Sequence, residues 1–266
     1  MKYYPRLLLI IVALGFTQIL QGQVSILQSQ LYTQASSTGW TRNLDLNAAE
    51  DTVVFVSVNF NVAGDASPTS INSVTLGGQA MTLVGSALSR AGGTTNEPYV
   101  NVYRLANPVT SSLSVSFGSA VAGTVSFAQV SGLNLSNPVA SSGTNASPLS
   151  GFANSSTIGL TTTQANQPIL SFLGTQTLSS ADYFVAGSTL AQVLALPGNG
   201  HAIGSTVVSS AGDFDATIVW SGNQRRYAQV GMVLNPIPEP STYAMLLGLA
   251  VLGFAWWQRR HRVKAI

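Results

Sequence analysis

Through the middle of the chain, apolar residues recur at alternate positions in short runs broken by Gly, Pro, Asn and Ser. Strands with one buried face give this pattern. It predicts strands over residues 24–33, 52–60, 73–76, 80–84, 99–105, 112–117, 124–130, 168–174, 190–194, 202–209, 214–220 and 227–234. In 52–60, Val54, Val56, Val58 and Phe60 share one face, while Val53 and Phe55 make the start two-sided. In 112–117, Leu113, Val115 and Phe117 point inward between serines. In 227–234 the inward set is Ala228, Val230, Met232 and Leu234. Gly77-Gly78-Gln79 predicts a tight hairpin, because glycine reaches positive φ without strain. The Ser/Asn/Gly/Pro-rich stretch 134–150 is expected to be a long connection. No central segment carries a 3.6-residue stripe, so the fold class is all-β, an antiparallel β-sandwich or jelly-roll-like ectodomain.

The two ends follow other rules. Lys2 and Arg6 precede an apolar run over 7–16, the layout of a signal peptide, with Gly22 the small residue before an expected cut near Gln23. At the other end, Pro238, Glu239 and Pro240 are followed by an uncharged apolar run over 243–257 and then by Arg259, Arg260, Arg262 and Lys264. As a helix, 242–257 would reach roughly 24 Å, somewhat short of a ~30 Å hydrocarbon core. Trp256 and Trp257 would lie at the interface, with the basic cluster anchored on the cytoplasmic side. The two prolines interrupt regular structure and leave Glu239 in an extended, accessible segment.

This order of triplet, apolar run and basic end resembles the PEP-CTERM sorting signal of exported bacterial proteins. The resemblance implies processing by a membrane-embedded exosortase, while the N-terminal layout implies export through Sec-type machinery and cleavage by signal peptidase. The resemblance further implies an exopolysaccharide-producing Gram-negative setting, with transient inner-membrane anchoring before release to the cell surface or outside. Three segments are expected: a signal peptide and helix at 1–22, a β-sandwich ectodomain at 23–236, and a sorting signal with a transmembrane helix at 237–266. Stretches such as 102–108 and 227–236 are also similar to β-sandwich modules of bacterial surface proteins, a likeness that names no activity.

Removing the ends changes the charge. The whole chain has a formal net charge of +2 and a pI near 9.0. Between residues 23 and 237, however, five arginines (Arg42, Arg90, Arg104, Arg225, Arg226) face eight acids (Asp45, Glu50, Asp51, Asp65, Glu97, Asp182, Asp213, Asp215), a net of −3. That balance gives nucleic-acid binding no support. There is no cysteine, so an exported domain of this length must be held by its core.

The chemistry available to a catalyst is sparse. His201 is the single histidine of the central region, and no His-Glu-x-x-His or Gly-x-Ser-x-Gly motif occurs. His201 is read as a polar loop residue ahead of a strand, and no catalytic residue, metal or cofactor is assigned. Asp213 and Asp215 share one side of an extended chain and, with Asp182, are weak candidates for calcium. Six aromatics (Trp40, Tyr99, Tyr103, Tyr183, Trp220, Tyr227) could instead stack on sugar rings, Trp220 and Tyr227 being the named candidates. Two functions follow as expectations. One is a non-enzymatic structural or adhesive protein of the surface or matrix. The other is a carbohydrate-binding module holding exopolysaccharide through an aromatic face.

Overall fold

The structure, a computed structural model, describes residues 24–48, 50–62, 68–89, 97–147, 152–176, 183–196, 200–222, 224–237 and 248–256. Val24–Pro236 forms one compact unit. Its strands are β1 (Ser25–Asn43), β2 (Thr52–Val62), β3 (Ile71–Leu76), β4 (Gln79–Ala80), β5 (Thr82–Leu88), β6 (Glu97–Ala106) and β7 (Ser112–Ser131). They continue with β8 (Val139–Ala146), β9 (Ser155–Thr162), β10 (Gln167–Thr175), β11 (Ala191–Leu196), β12 (His201–Val208), β13 (Gly212–Val219) and β14 (Tyr227–Leu234). All pairings are antiparallel, as the alternation predicts.

The first sheet runs β4-β3-β7-β2-β6-β5, with β1 along the other edge of β7. Its curvature follows from connectivity. Strands β4 and β5 lie at opposite ends of the order, yet Met81 alone separates Ala80 from Thr82. Two trans peptide links span about 7 Å at most, so the two ends of the sheet must meet. The sheet therefore curls into a half-barrel, and its concave side encloses a first core of Trp40, Val54, Val56, Val58, Phe60, Leu113, Val115 and Phe127, among others. The long strand β7 makes the bend. Its first half pairs with β3 and its second with β2, while β1 follows its whole length through register shifts between Gln34 and Gly39. Gly123 sits at that bend, where a Cβ would come within 2.2 Å of the Asn59 carbonyl oxygen.

The predicted hairpin forms at Gly77 and Gly78, both at positive φ (61° and 76°), as a two-residue turn of the primed type requires. Its return strand is only β4, however. The stretch predicted as one strand over 80–84 is divided between opposite ends of the sheet.

The convex face of the half-barrel packs on a second sheet, β11-β12-β10-β14-β8. Val53, Phe55, Val100, Val102, Ala128 and Val130 meet Leu170, Phe172, Ile203, Val230 and Met232 in a second core. The ribbon of β9 and β13 covers the far face of that second sheet. Ile158, Leu160, Ala216, Ile218 and Trp220 close a third core over Ile169, Leu173 and Val233. Strands β10 and β14 are thus buried on both faces along their whole length. The buried Gln229 amide spans two layers through its nitrogen: Nε2 donates to Ser171 Oγ (2.8 Å) and to the Ala216 carbonyl (3.2 Å). The expected connection over 134–150 is corrected here, because it contains β8, an edge strand paired with β14 from Leu234↔Val139 to Ala228↔Ala146.

Outside this unit a helix covers 248–256 and leaves Leu249, Val251, Leu252, Phe254 and Trp256 more than half exposed. Nine residues rise about 14 Å. Among the described residues no helix is long and apolar enough to cross a membrane. The remainder of the predicted 242–257 helix, and the signal helix at 1–22, lie outside the described residues.

Candidate functional site

Pro238, Glu239 and Pro240, and the anchor Arg259, Arg260, Arg262 and Lys264, lie outside the described residues, as does Asp182. Asp213 and Asp215 lie exposed on one side of β13, where the register of the β9–β13 ribbon places them opposite Thr161 and Gly159. Thr161 Oγ1 donates to Asp213 Oδ1 at 2.8 Å. No group of three or more His, Cys, Asp or Glu able to hold a metal ion occurs among the described residues. Asp213→Ala is expected to lower stability by about 1 kcal/mol or less, the worth of one exposed hydrogen bond, read from the urea midpoint.

The sugar-stacking candidates are corrected by burial. Trp220 is 1% exposed and Tyr227 8%. Their rings meet each other edge-on at 5.8 Å inside the third core, with Tyr183 beside Trp220 at 6.4 Å. A ring surrounded by protein has no face left for a sugar. Trp40 is buried against Phe117 in the first core, and Tyr99 and Tyr103 are half-buried against the same core. The strand-end position of Trp220 suggests exposure only while the sheet that its ribbon packs against is unknown.

His201 is also not a loop residue. It opens β12, is 8% exposed, and pairs with Gly174 of β10. Burial pushes its pKa down to about 4, against a smaller opposing effect of a hydrogen bond with the Leu173 backbone. The imidazole is therefore neutral at ordinary pH, and its Nδ1 has no hydrogen-bond partner.

His201 lines a cleft of about 240 Å³ at one end of the space between the two large sheets. The opposite wall is a row set by register: Thr33 of β1, Thr124 of β7, Asn59 of β2 and Val100 of β6 are successive cross-strand partners. Alternation puts them on the face that carries the second core farther along. There, Val53 and Phe55 give way along β2 to Ser57 and Asn59, and Val130 and Ala128 give way along β7 to Ser126 and Thr124. This change from apolar to polar on one sheet face is the signal that sequence reading missed. It was available in 52–60 as the polar face opposite Val54, Val56 and Val58. Gly174 completes the far wall: a Cβ there would lie 2.6 Å from Val100 Cγ2, so the sheets meet closely beside the cleft. None of the residues lining the cleft is Asp, Glu, Lys or Arg.

A second buried polar cluster adjoins the third core. Arg225 and Arg226 are both buried, and Arg226 lies over the Phe152 ring at 4.8 Å. Desolvation lowers the pKa of Arg225, and the nearby Tyr183 acts in the opposite direction.

Comparison with known proteins places a match at the C-terminal end. Residues 236–260 fit the PEP-CTERM protein-sorting motif, beginning at the residue where the β-unit ends. No curated protein matches the chain. The chain thus carries, behind its all-β unit, the PEP-CTERM protein-sorting motif, the signal of an exported protein targeted to exosortase.

Proposed function

We propose that the protein is a non-catalytic structural or adhesive component of the cell surface or extracellular matrix, delivered there by its C-terminal motif. The observation that carries this reading is the sorting motif at 236–260, directly behind a cysteine-free β-unit. Such a motif gives the ectodomain a destination and requires no chemistry of it. The non-catalytic part draws support from His201. A serine triad needs a carboxylate on Nδ1 of its histidine. Here that atom is buried without a partner, and the ring is held neutral far below the usual range for catalytic histidine. The aromatic-face reading has no comparable support, since its named rings are interior.

The test is intact mass and location of the protein in its host, beside a variant with Pro238, Glu239 and Pro240 all changed to Ala. Wild-type protein is expected to lack the basic tail and to leave the membrane fraction, and the variant to keep Arg259–Ile266 and stay there. If wild type also keeps the tail and remains in the membrane, the sorting reading fails. A wild type that is processed yet recovered only as free periplasmic protein would leave export intact and remove the surface role.

A further inference from the structure

We propose that the cleft between the two large sheets is a binding site for a neutral polyhydroxylated ring, a monosaccharide or cyclic polyol, held by Thr124, Asn59 and His201. The placement does not depend on the sorting role and uses none of the residues of the C-terminal motif. It rests on three observations that converge on one place.

The first is space. At about 240 Å³ the cleft holds several times the ~30 Å³ that a water molecule occupies in the liquid. It is smaller than the ~300–1,000 Å³ pockets that take drug-sized ligands, so it fits one ring rather than a chain of them.

The second is unmet hydrogen bonding. Buried polar side-chain atoms nearly always find a partner. Yet Thr124 Oγ1 on one wall and His201 Nδ1 on the other are both buried and without one. Both residues are more than nine-tenths buried, and they belong to different sheets. They stand on the two walls of one cleft: Thr124 is in the Thr33–Thr124–Asn59–Val100 row, and His201 pairs with Gly174, which lies against Val100 at the far end of that row. A protein that needed only to fill this space would place Val where Thr124 is and lose no hydrogen bond.

The third is the kind of polarity. The lining offers hydroxyls at Thr33 and Thr124, amides at Asn59 and Asn61, and a neutral imidazole. Each of these groups can both donate and accept, as a ligand hydroxyl can. No lining residue carries a charge. An anionic or cationic ligand would enter a partly dry site with no counter-charge, which is costly. A ligand with several hydroxyls and no charge meets both unpaired atoms without that cost. Val100 and Pro98 supply an apolar patch for the C–H face of such a ring.

The experiment exploits the histidine count. The whole chain has two histidines, His201 and His261, so an isotope-labelled imidazole gives one resonance in the cleft and one in the tail. Full-length protein in detergent is titrated with methyl glucoside, N-acetylglucosamine and myo-inositol, with sodium acetate as a charged control. The proposal expects a saturable shift of the His201 resonance with at least one neutral ring, and none with acetate. Thr124→Val is expected to weaken that binding about tenfold, the worth of one buried hydrogen bond. Ala122 is exposed at the cleft in β7, so Ala122→Phe should occlude the entrance and abolish the shift while leaving the melting temperature unchanged. A His201 resonance unmoved by every neutral ring would overturn the proposal. So would a shift that survives both Ala122→Phe and Thr124→Val, or one produced by acetate alone.

Discussion

Replacing Trp220 by alanine is expected to destabilise the ectodomain by about 3–5 kcal/mol, a large part of a total that seldom exceeds about 15. Trp220 is the largest fully buried side chain among the described residues and belongs to the third core. It touches Tyr183 and Tyr227, and its backbone amide donates to the Asn154 carbonyl at 2.9 Å, which ties the ribbon to the loop before β9. The ring cannot be replaced by collapse, because its neighbours are held by strand pairing on either side. Trp220→Phe should cost much less, about 1–2 kcal/mol. The indole Nε1 is buried without a hydrogen-bond partner, so removing it gives up volume and no bond. Urea unfolding followed by far-ultraviolet circular dichroism measures both. Equal losses for Ala and Phe would mean that the indole nitrogen, and not ring volume, matters at this site.

Acidification is expected to have the second large effect, through His201. Its folded pKa, about 4, lies below the ordinary 6.5, because burial penalises the charged ring. Between those values the unfolded chain takes up a proton that the folded chain refuses. Stability from this group is therefore complete above pH ~6.5 and declines as pH falls, reaching a total loss of about 3 kcal/mol near pH 4. His201→Gln removes the titration while keeping a polar side chain. The quantity to compare is the change in unfolding free energy between pH 7.5 and 4.5 in wild type and variant, since acids common to both cancel. Equal changes in the two proteins would show that His201 is charged in the folded state or exposed to water.

The strands were legible in the sequence where one face of them is apolar and the other is not. Strand β2 shows why that succeeds and where it stops. Val54, Val56 and Val58 mark the concave face, and Val53 and Phe55 mark a second buried face, so the pattern already required two layers. The third layer left no such mark. The alternation in strand β14 predicts one inward face at Ala228, Val230, Met232 and Leu234, yet Val233 and Gln229 are buried too, under the β9–β13 ribbon. Strand β8, Val-Ala-Ser-Ser-Gly-Thr-Asn-Ala, has almost no apolar side chain to alternate. It exists because β14 offers it a free edge, and Gly143 is small because Ile158 crosses 2.7 Å from where its Cβ would be.

The candidate site was less legible still. Asn59 and Thr124 are polar residues on half-apolar strands, separated by 65 positions and made adjacent by register alone. His201 was visible as a lone histidine, but its place on a strand inside the protein depends on β10, which lies before it in the chain. The C-terminal motif was readable from the start because its information is local: three residues, an apolar run and a basic end, in that order.

The position of β14 has a consequence for the timing of export. It is the final strand of the unit, yet it lies inside its sheet between β10 and β8, and it contributes to both the second and the third core. A polypeptide threaded through a membrane from its N-terminus presents this piece last. Until residues 227–234 emerge, β8 has no partner in the sheet and the β9–β13 ribbon lacks part of the surface it covers. The chain cannot lock into its final state ahead of time, on either side of the membrane. Only three residues separate Leu234 from Pro238. Closing the sheet and delivering the processing segment thus become nearly one event, and a sorting enzyme acting on that segment would meet a chain whose passenger has only just become able to fold.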